Sequence, residues 1–341
     1  MSQRHRRRPV GVRRMLQLAL ASVLPVATHA QVAGLSGTLV VTNKTPSTAT
    51  IIDVASGRTL ATLPTGQGPH EVVLSSDGRT AVVTDYSGEP GRTLTVIDVE
   101  ELRVTRTIDL GDYRRPHGIR FLPGDSLVAV TSEASGQVLI VSVADGVVRR
   151  TIATTQNGSH MVGVVADGSR GYTGNIGSNT VSELDFVTGR TLRTIPVPAQ
   201  PEAINVTPDG REVWVGSNAT GRVSVIDVAS GRVDLAADGF GWPYRVVFTP
   251  DLTTVLLPDL RGEVLRVLDR ATRKELGRIA MPGAAPQGII VTPDGRYAIE
   301  SMSQQSRVAI IDIARREIVG YLPAGATPDG VAYSTRTSRA K

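Results

Sequence analysis

The stretch PEAINVTPDGREVWVGSNATGRVSVIDVASGR, residues 201–232, decides how this chain folds. It holds three short runs rich in apolar and β-branched residues: Ala203 to Thr207, Glu212 to Gly216, and Val223 to Asp227. Pro208-Asp209-Gly210 separates the first two. There Asp supplies a side-chain hydrogen bond and Gly the positive φ of a tight turn. Ala229-Ser230-Gly231-Arg232 turns the chain after the third run and leads to a fourth. Strands of this length and spacing suit a sandwich, a barrel or a propeller.

Outward from this stretch the pattern repeats. Its opening pair recurs as Pro69-His70, Pro116-His117, Ser159-His160, Pro201-Glu202, Pro243-Tyr244, Pro286-Gln287 and Pro328-Asp329, at spacings of 47, 43, 42, 42, 43 and 42 residues. The end of its third run recurs seven times at spacings of 42 to 45, as Ile52-Asp53, Ile97-Asp98, Val141-Ser142, Leu184-Asp185, Ile226-Asp227, Leu268-Asp269 and Ile311-Asp312. Two anchors with one count and one period predict seven four-stranded units. The fold class expected is all-β: a seven-bladed β-propeller with four antiparallel strands per blade. The termini complete it. An isolated second strand at Leu39 to Thr42 and an isolated first strand at Gly330 to Ser334 make one blade between them, which closes the ring and removes exposed edges. The propeller is expected over residues 38–335, after a short linker at 31–37 and before a polar tail at 336–341.

The repeat resembles the YVTN family of β-propellers, whose units read roughly Pro-His-Gly, Ser-Pro-Asp-Gly, Tyr-Val-Thr-Asn and Val-Ile-Asp. Val40-Val41-Thr42-Asn43 and Val82-Val83-Thr84-Asp85 match the name motif; Pro116-His117-Gly118 and Val225-Ile226-Asp227-Val228 match its flanks. The resemblance covers the chain beyond its first 30 residues and implies a fold. Its relatives include periplasmic proteins, cell-surface proteins, and propellers similar to those that hold haem in nitrite reduction, so it selects no activity.

Residues 1–30 read as a secretory leader. Arg4, Arg6, Arg7, Arg8, Arg13 and Arg14 precede an apolar run from Met15 to Val26, and Thr28-His29-Ala30 offers a cleavage site. The run is short for a bilayer. Arg13-Arg14 is a weak twin-arginine signal, and its flanks favour the general secretory route. A periplasmic or secreted protein with no span after cleavage is expected. The whole chain carries 37 Lys+Arg and 32 Asp+Glu. Without the six Arg of the leader, 31 bases face 32 acids, so no global basic field recruits nucleic acid. There is no cysteine, which excludes thiol and iron–sulfur chemistry and leaves stability to core burial.

In such a blade the loops from fourth to first strand (D–A) and from second to third (B–C) share the face around the channel mouth. The residues after the seven anchors form a ring there: His70, His117, His160, Glu202, Tyr244, Gln287 and Asp329. The three His occupy consecutive blades and Glu202 the next. Three imidazoles and a carboxylate suit zinc, copper or iron, so His70, His117, His160 and Glu202 are the candidate ligands for a transition metal or haem-type cofactor. The other reading is that His is repeat consensus and holds the Pro turn by hydrogen bonds. Tyr113, Arg114, Arg115, Trp242, Tyr244 and Arg245 lie in or beside D–A loops, where aromatic walls and guanidinium groups suit an anionic ligand, a glycan or a peptide tail. The six Asp that end third strands recur in nearly every blade and are expected to cap the next turn. The function expected is a non-catalytic binding module for a small molecule, metal cofactor or periplasmic or extracellular protein. The alternative is a lactonase-like hydrolase or a metal- or haem-assisted enzyme at the same cluster.

Overall fold

The computed structural model describes Met1, residues 32–88 and residues 91–338. The expected leader therefore lies outside the described residues, apart from Met1, as does the end of the expected tail. Among the described residues no helix is long and apolar enough to cross a membrane.

The chain forms seven four-stranded antiparallel sheets. The innermost strands A are Pro69–Leu74, Pro116–Phe121, Ser159–Val164, Pro201–Val206, Val247–Phe248, Pro286–Val291 and Pro328–Ser334, and they define blades 1 to 7 in that order. In blade 5 the strand is short, and Pro243 pairs with Asp259 as an isolated bridge. Blade 7 joins the ends of the chain: Pro328–Ser334 pairs with Thr38–Asn43, with Leu39 opposite Tyr333 and Val40 opposite Ala332. The sequence expectation of a seven-bladed ring closed by its termini is what the chain adopts. Beyond the last strand the chain stays on this seam. Ser338 is buried, its amide donates to Thr38 Oγ1 at 3.0 Å, and its hydroxyl donates to the Val99 carbonyl of blade 1 at 3.0 Å.

The second strands B are buried on both faces, as in Thr38–Asn43 and Thr80–Asp85, because each is sandwiched between neighbouring blades. Their Val, Ile and Leu side chains form clusters that alternate from one interface to the next, such as Leu39 and Val41 on one side and Val40 on the other. This two-residue alternation locks the register, since a slip of one residue would exchange the two faces.

The repeated polar residues serve the scaffold. Asp98, Asp185, Asp227, Asp269 and Asp312 each accept a backbone amide at 2.7–3.0 Å in the turn that follows, and Asp53 accepts the amide of Ser56 at 3.1 Å. The last residue of strand B ties the adjacent loops. Asn43 donates to Thr48 and Thr50 at 3.1 and 2.8 Å and accepts the Gly325 amide at 2.8 Å; Asn175 donates to Thr180 and Ser182 at 3.0 and 2.9 Å.

Asp85 holds the same place in blade 1, with Thr93 and Thr95 donating to it at 2.8 and 2.9 Å. Its second oxygen is buried without a partner. Burial pushes its carboxyl from the ordinary 3.8 up to about 6, against the pull of those two hydroxyls. The folded state then binds more proton than the unfolded chain between about pH 4 and 6, so this group's contribution to stability falls as pH rises through that window. Asp85→Asn copies blades 3 and 7. It is expected to stabilise the protein at pH 7 by on the order of 1–3 kcal/mol and to lose that advantage below about pH 4, read from urea unfolding at both pH values.

Candidate functional site

Strand A does not enter the sheet smoothly. Its register against strand B skips between Pro69 and Val72, Pro116 and Ile119, Ser159 and Val162, and Pro286 and Ile289. The residue before the anchor stands at positive φ in six blades, from 48° at Ala285 to 70° at Gly158. A left-handed step followed by a bulge turns the next side chain into the channel. The Thr of the Val-Thr-Asn motif then fixes it. Thr131 Oγ1 accepts the Gly118 amide of its own blade at 2.9 Å and donates to the His160 carbonyl of the next blade at 2.6 Å. Thr42 does the same for the His70 carbonyl at 2.8 Å. Gly118 is required by the neighbouring strand: a Cβ there would stand 2.6 Å from Val162 N and 2.7 Å from Met161 Cα.

This geometry gathers the seven ring residues, most of them buried. Imidazole centroids lie 5.0 Å apart for His70 and His117 and 3.7 Å for His117 and His160. Over them stands a second set that the sequence reading did not single out: the residue that follows strand B in each blade. Tyr86 packs on His70 at 4.3 Å and on His117 at 5.1 Å, and its hydroxyl donates to Glu133 at 3.1 Å. Glu133 pairs with His160 Nδ1 at 2.7 Å and with Arg115 at 3.3 Å. Arg115 also lies 4.4 Å from the Tyr86 ring centroid. Lys44 pairs with Asp329 at 3.1 Å. Asn218 donates to Glu202, as does Trp242 Nε1 at 3.1 Å. Lys44, Tyr86, Glu133 and Asn218 share one repeat position, one residue past strand B, and its variation from blade to blade is the sequence signal that marks them.

Burial first, then the charges of His160 and His70, holds His117 well below the ordinary 6.5, so it is neutral. Burial also lowers His70, with Asp329 opposing. Burial pushes the Glu133 carboxyl up, but the hydrogen bond and charge of His160 and the charge of Arg115 outweigh it and hold the group below its usual range. Asp329 stays low likewise, against its burial, through Lys44, His70 and Arg245. Tyr244 donates to Asp329 at 3.3 Å.

Of the candidate ligands, His70 Nδ1 lies 2.9 Å from the Gly68 carbonyl, which is the turn-holding role expected of a repeat His. His160 Nδ1 is taken by Glu133, and its Nε2 stands 3.9 Å from Glu202. His117 Nδ1 is buried without a partner. The His117 and His160 rings are tilted by only 31°. Imidazole lone pairs lie in the ring plane, so rings stacked in this way do not aim two nitrogens at one ion about 2 Å from each. Among the described residues no group of three or more His, Cys, Asp or Glu is arranged to hold a metal. The ring residues are brought together, but as a stack rather than a coordination set.

The other candidates separate into two levels. Arg115, Trp242 and Tyr244 stand at the mouth. Tyr113 packs into the interface of blades 1 and 2, and the Arg114 carbonyl accepts from Ser132 at 2.8 Å. Arg245 points down the channel, where it pairs with Glu71 and lies 4.1 Å from the Tyr244 ring centroid. Below the ring is a cavity of about 310 Å³ lined by Glu71, Arg120, Met161, Arg245 and the apolar inner faces of the A strands.

The family described as YNCE-like beta-propeller matches residues 124–254, under half of the chain. No curated protein matches it. Solved structures match in large number, 1740 chains in all, so likeness of fold does not select a function. Hydrazine synthase of Kuenenia stuttgartiensis is 19% identical, with 76% of this chain and 88% of that chain covered and a TM-score of 0.67. A functionally unknown protein from Desulfotomaculum acetoxidans DSM 771 is 14% identical, with 88% and 100% covered and a TM-score of 0.73. Both are similar in fold alone.

Proposed function

We propose that this chain is an exported β-propeller of the YVTN-repeat type that acts as a binding module without a reaction of its own, and that its ligand seat is the channel mouth built by the D–A and B–C loops. One observation carries the reading. The positions that repeat from blade to blade are spent on turns and blade junctions, while two of the positions that vary, the ring residue and the residue after strand B, bring side chains together at the mouth. There they form a connected network from Lys44 and Asp329 through His70, Tyr86, His117, Arg115, Glu133 and His160 to Glu202 and Trp242. A scaffold that needed only to close its ring would repeat these positions too. The network ends in half-exposed Arg115 and Trp242, groups that meet an incoming small molecule or the tip of a partner protein. A metal is the second reading, favoured by the unpartnered His117 Nδ1.

Native mass spectrometry of the protein taken from its own compartment, with elemental analysis of the same sample, tests this. The expected result is a bound organic species or protein partner, retained by the unaltered chain and lost from the double variant Tyr86→Phe/Arg115→Ala. Retention by the variant would sink the mouth as the seat. Stoichiometric zinc, copper or iron would decide for the second reading.

A further inference from the structure

We infer that the channel cavity beneath the ring is a separate binding site, for a small organic monoanion: a monocarboxylate carrying an apolar chain or ring. This does not rest on the reading of the mouth. Two guanidinium groups, Arg120 and Arg245, face a cavity that contains one carboxylate, Glu71. Arg245 uses one nitrogen for Glu71 and another for the Tyr244 carbonyl at 2.7 Å, and its Nε is buried with no partner. Arg120 donates to the Ile119 carbonyl at 2.9 Å. The acid that acts on it, Glu71, is already committed to Arg245. The cavity thus holds one surplus positive charge, on the partly exposed Arg120, beside apolar walls that give it no counter-ion, and an anion that meets it there satisfies both the charge and its donors.

The walls set the class of anion. Val72, Ile204, Val246, Ile289 and Val331 line the cavity around the two guanidinium groups. An anion with an apolar body covers these walls while its head takes the planar donors of Arg120, beside the buried charge of Arg245. A single negative charge balances the surplus. An inorganic dianion would overshoot it and leave the apolar walls bare. Entry is from the face opposite the mouth. The ring residues closing the upper end are mostly buried, whereas Val73, Leu74, Val247, Ile290 and Tyr333 at the other end are half-exposed.

The test is calorimetric titration of the full chain with benzoate and with hexanoate, against benzamide and hexanamide, and against inorganic phosphate. Both acids are expected to bind at one shared site and to compete, with the amides at least tenfold weaker. Arg120→Met keeps the length and packing of the side chain and is expected to weaken both acids at least tenfold without lowering the melting temperature. Arg115→Ala, at the mouth, is expected to leave them unchanged. Absence of saturable acid binding overturns the inference, as does equal binding of the amides, tighter binding of phosphate, or acid binding untouched by Arg120→Met.

Discussion

Glu71→Ala is expected to lower the free energy of unfolding by about 3–5 kcal/mol, as the shift in urea midpoint at unchanged slope. Glu71 sits on the innermost strand of blade 1 and Arg245 just before that of blade 5, 174 residues apart in sequence, and they meet across the channel. Both are almost wholly buried. Glu71 raises the affinity of Arg245 for its proton against the effect of burial, and a guanidinium is too basic to give up its proton even when that carboxylate is removed. The cost is that of an uncompensated buried cation, not the net worth of the pair. The double replacement Glu71→Leu/Arg245→Met removes both charges and is expected to recover most of the loss. A Glu71→Ala penalty that is equal in wild-type and Arg245→Met backgrounds would show that the two side chains are not coupled.

Glu300→Val is expected to stabilise the protein at neutral pH by about 1–3 kcal/mol. Glu300 is the fourth residue of strand B in blade 6, where the other blades carry Val41, Val83, Val130, Thr173, Val215 and Leu257. It is fully buried, flanked in the sheet by Ile289 and Ala309, and neither of its oxygens has a partner. Burial pushes its carboxyl well above the ordinary 4.5. The folded chain therefore holds a proton that the unfolded chain releases, and this group's contribution to stability falls as pH rises above about 4.5. Glu300→Gln is expected to flatten that part of the pH profile while leaving the cost of burying a polar head. A wild-type profile that rises across the same range, and is unchanged in Glu300→Gln, would contradict the assignment.

The two buried acids show how far the repeat can be read. Glu300 stands out in an internal alignment as a departure from a mostly apolar position, so the sequence marks it as an anomaly, whereas the position of Asp85 holds Asn, Ser, Asp or Met from blade to blade and marks nothing. The sequence does not reveal whether a partner stands within reach of a buried carboxylate. For Asp85 two threonines do, and for Glu300 nothing does. Likewise the contiguity of His70, His117 and His160 was legible as a cluster. Their orientation, stacked on one another and on Tyr86, was not, because ring planes are set by packing and by Glu133, which reaches the mouth from a different loop.

The sequence by itself determined the number of blades, their four strands, the turns and the closure at the termini. Each of these follows from local chemistry: a two-residue apolar alternation, Asp-Gly turns, and a period near 42 residues. Only the tertiary structure decided which side chains meet across the channel. The pairing of Glu71 with Arg245 and of Glu133 with His160 depends on the radius of the ring and the bulge that begins each inner strand. These are properties of seven blades packed together, and no single repeat contains them.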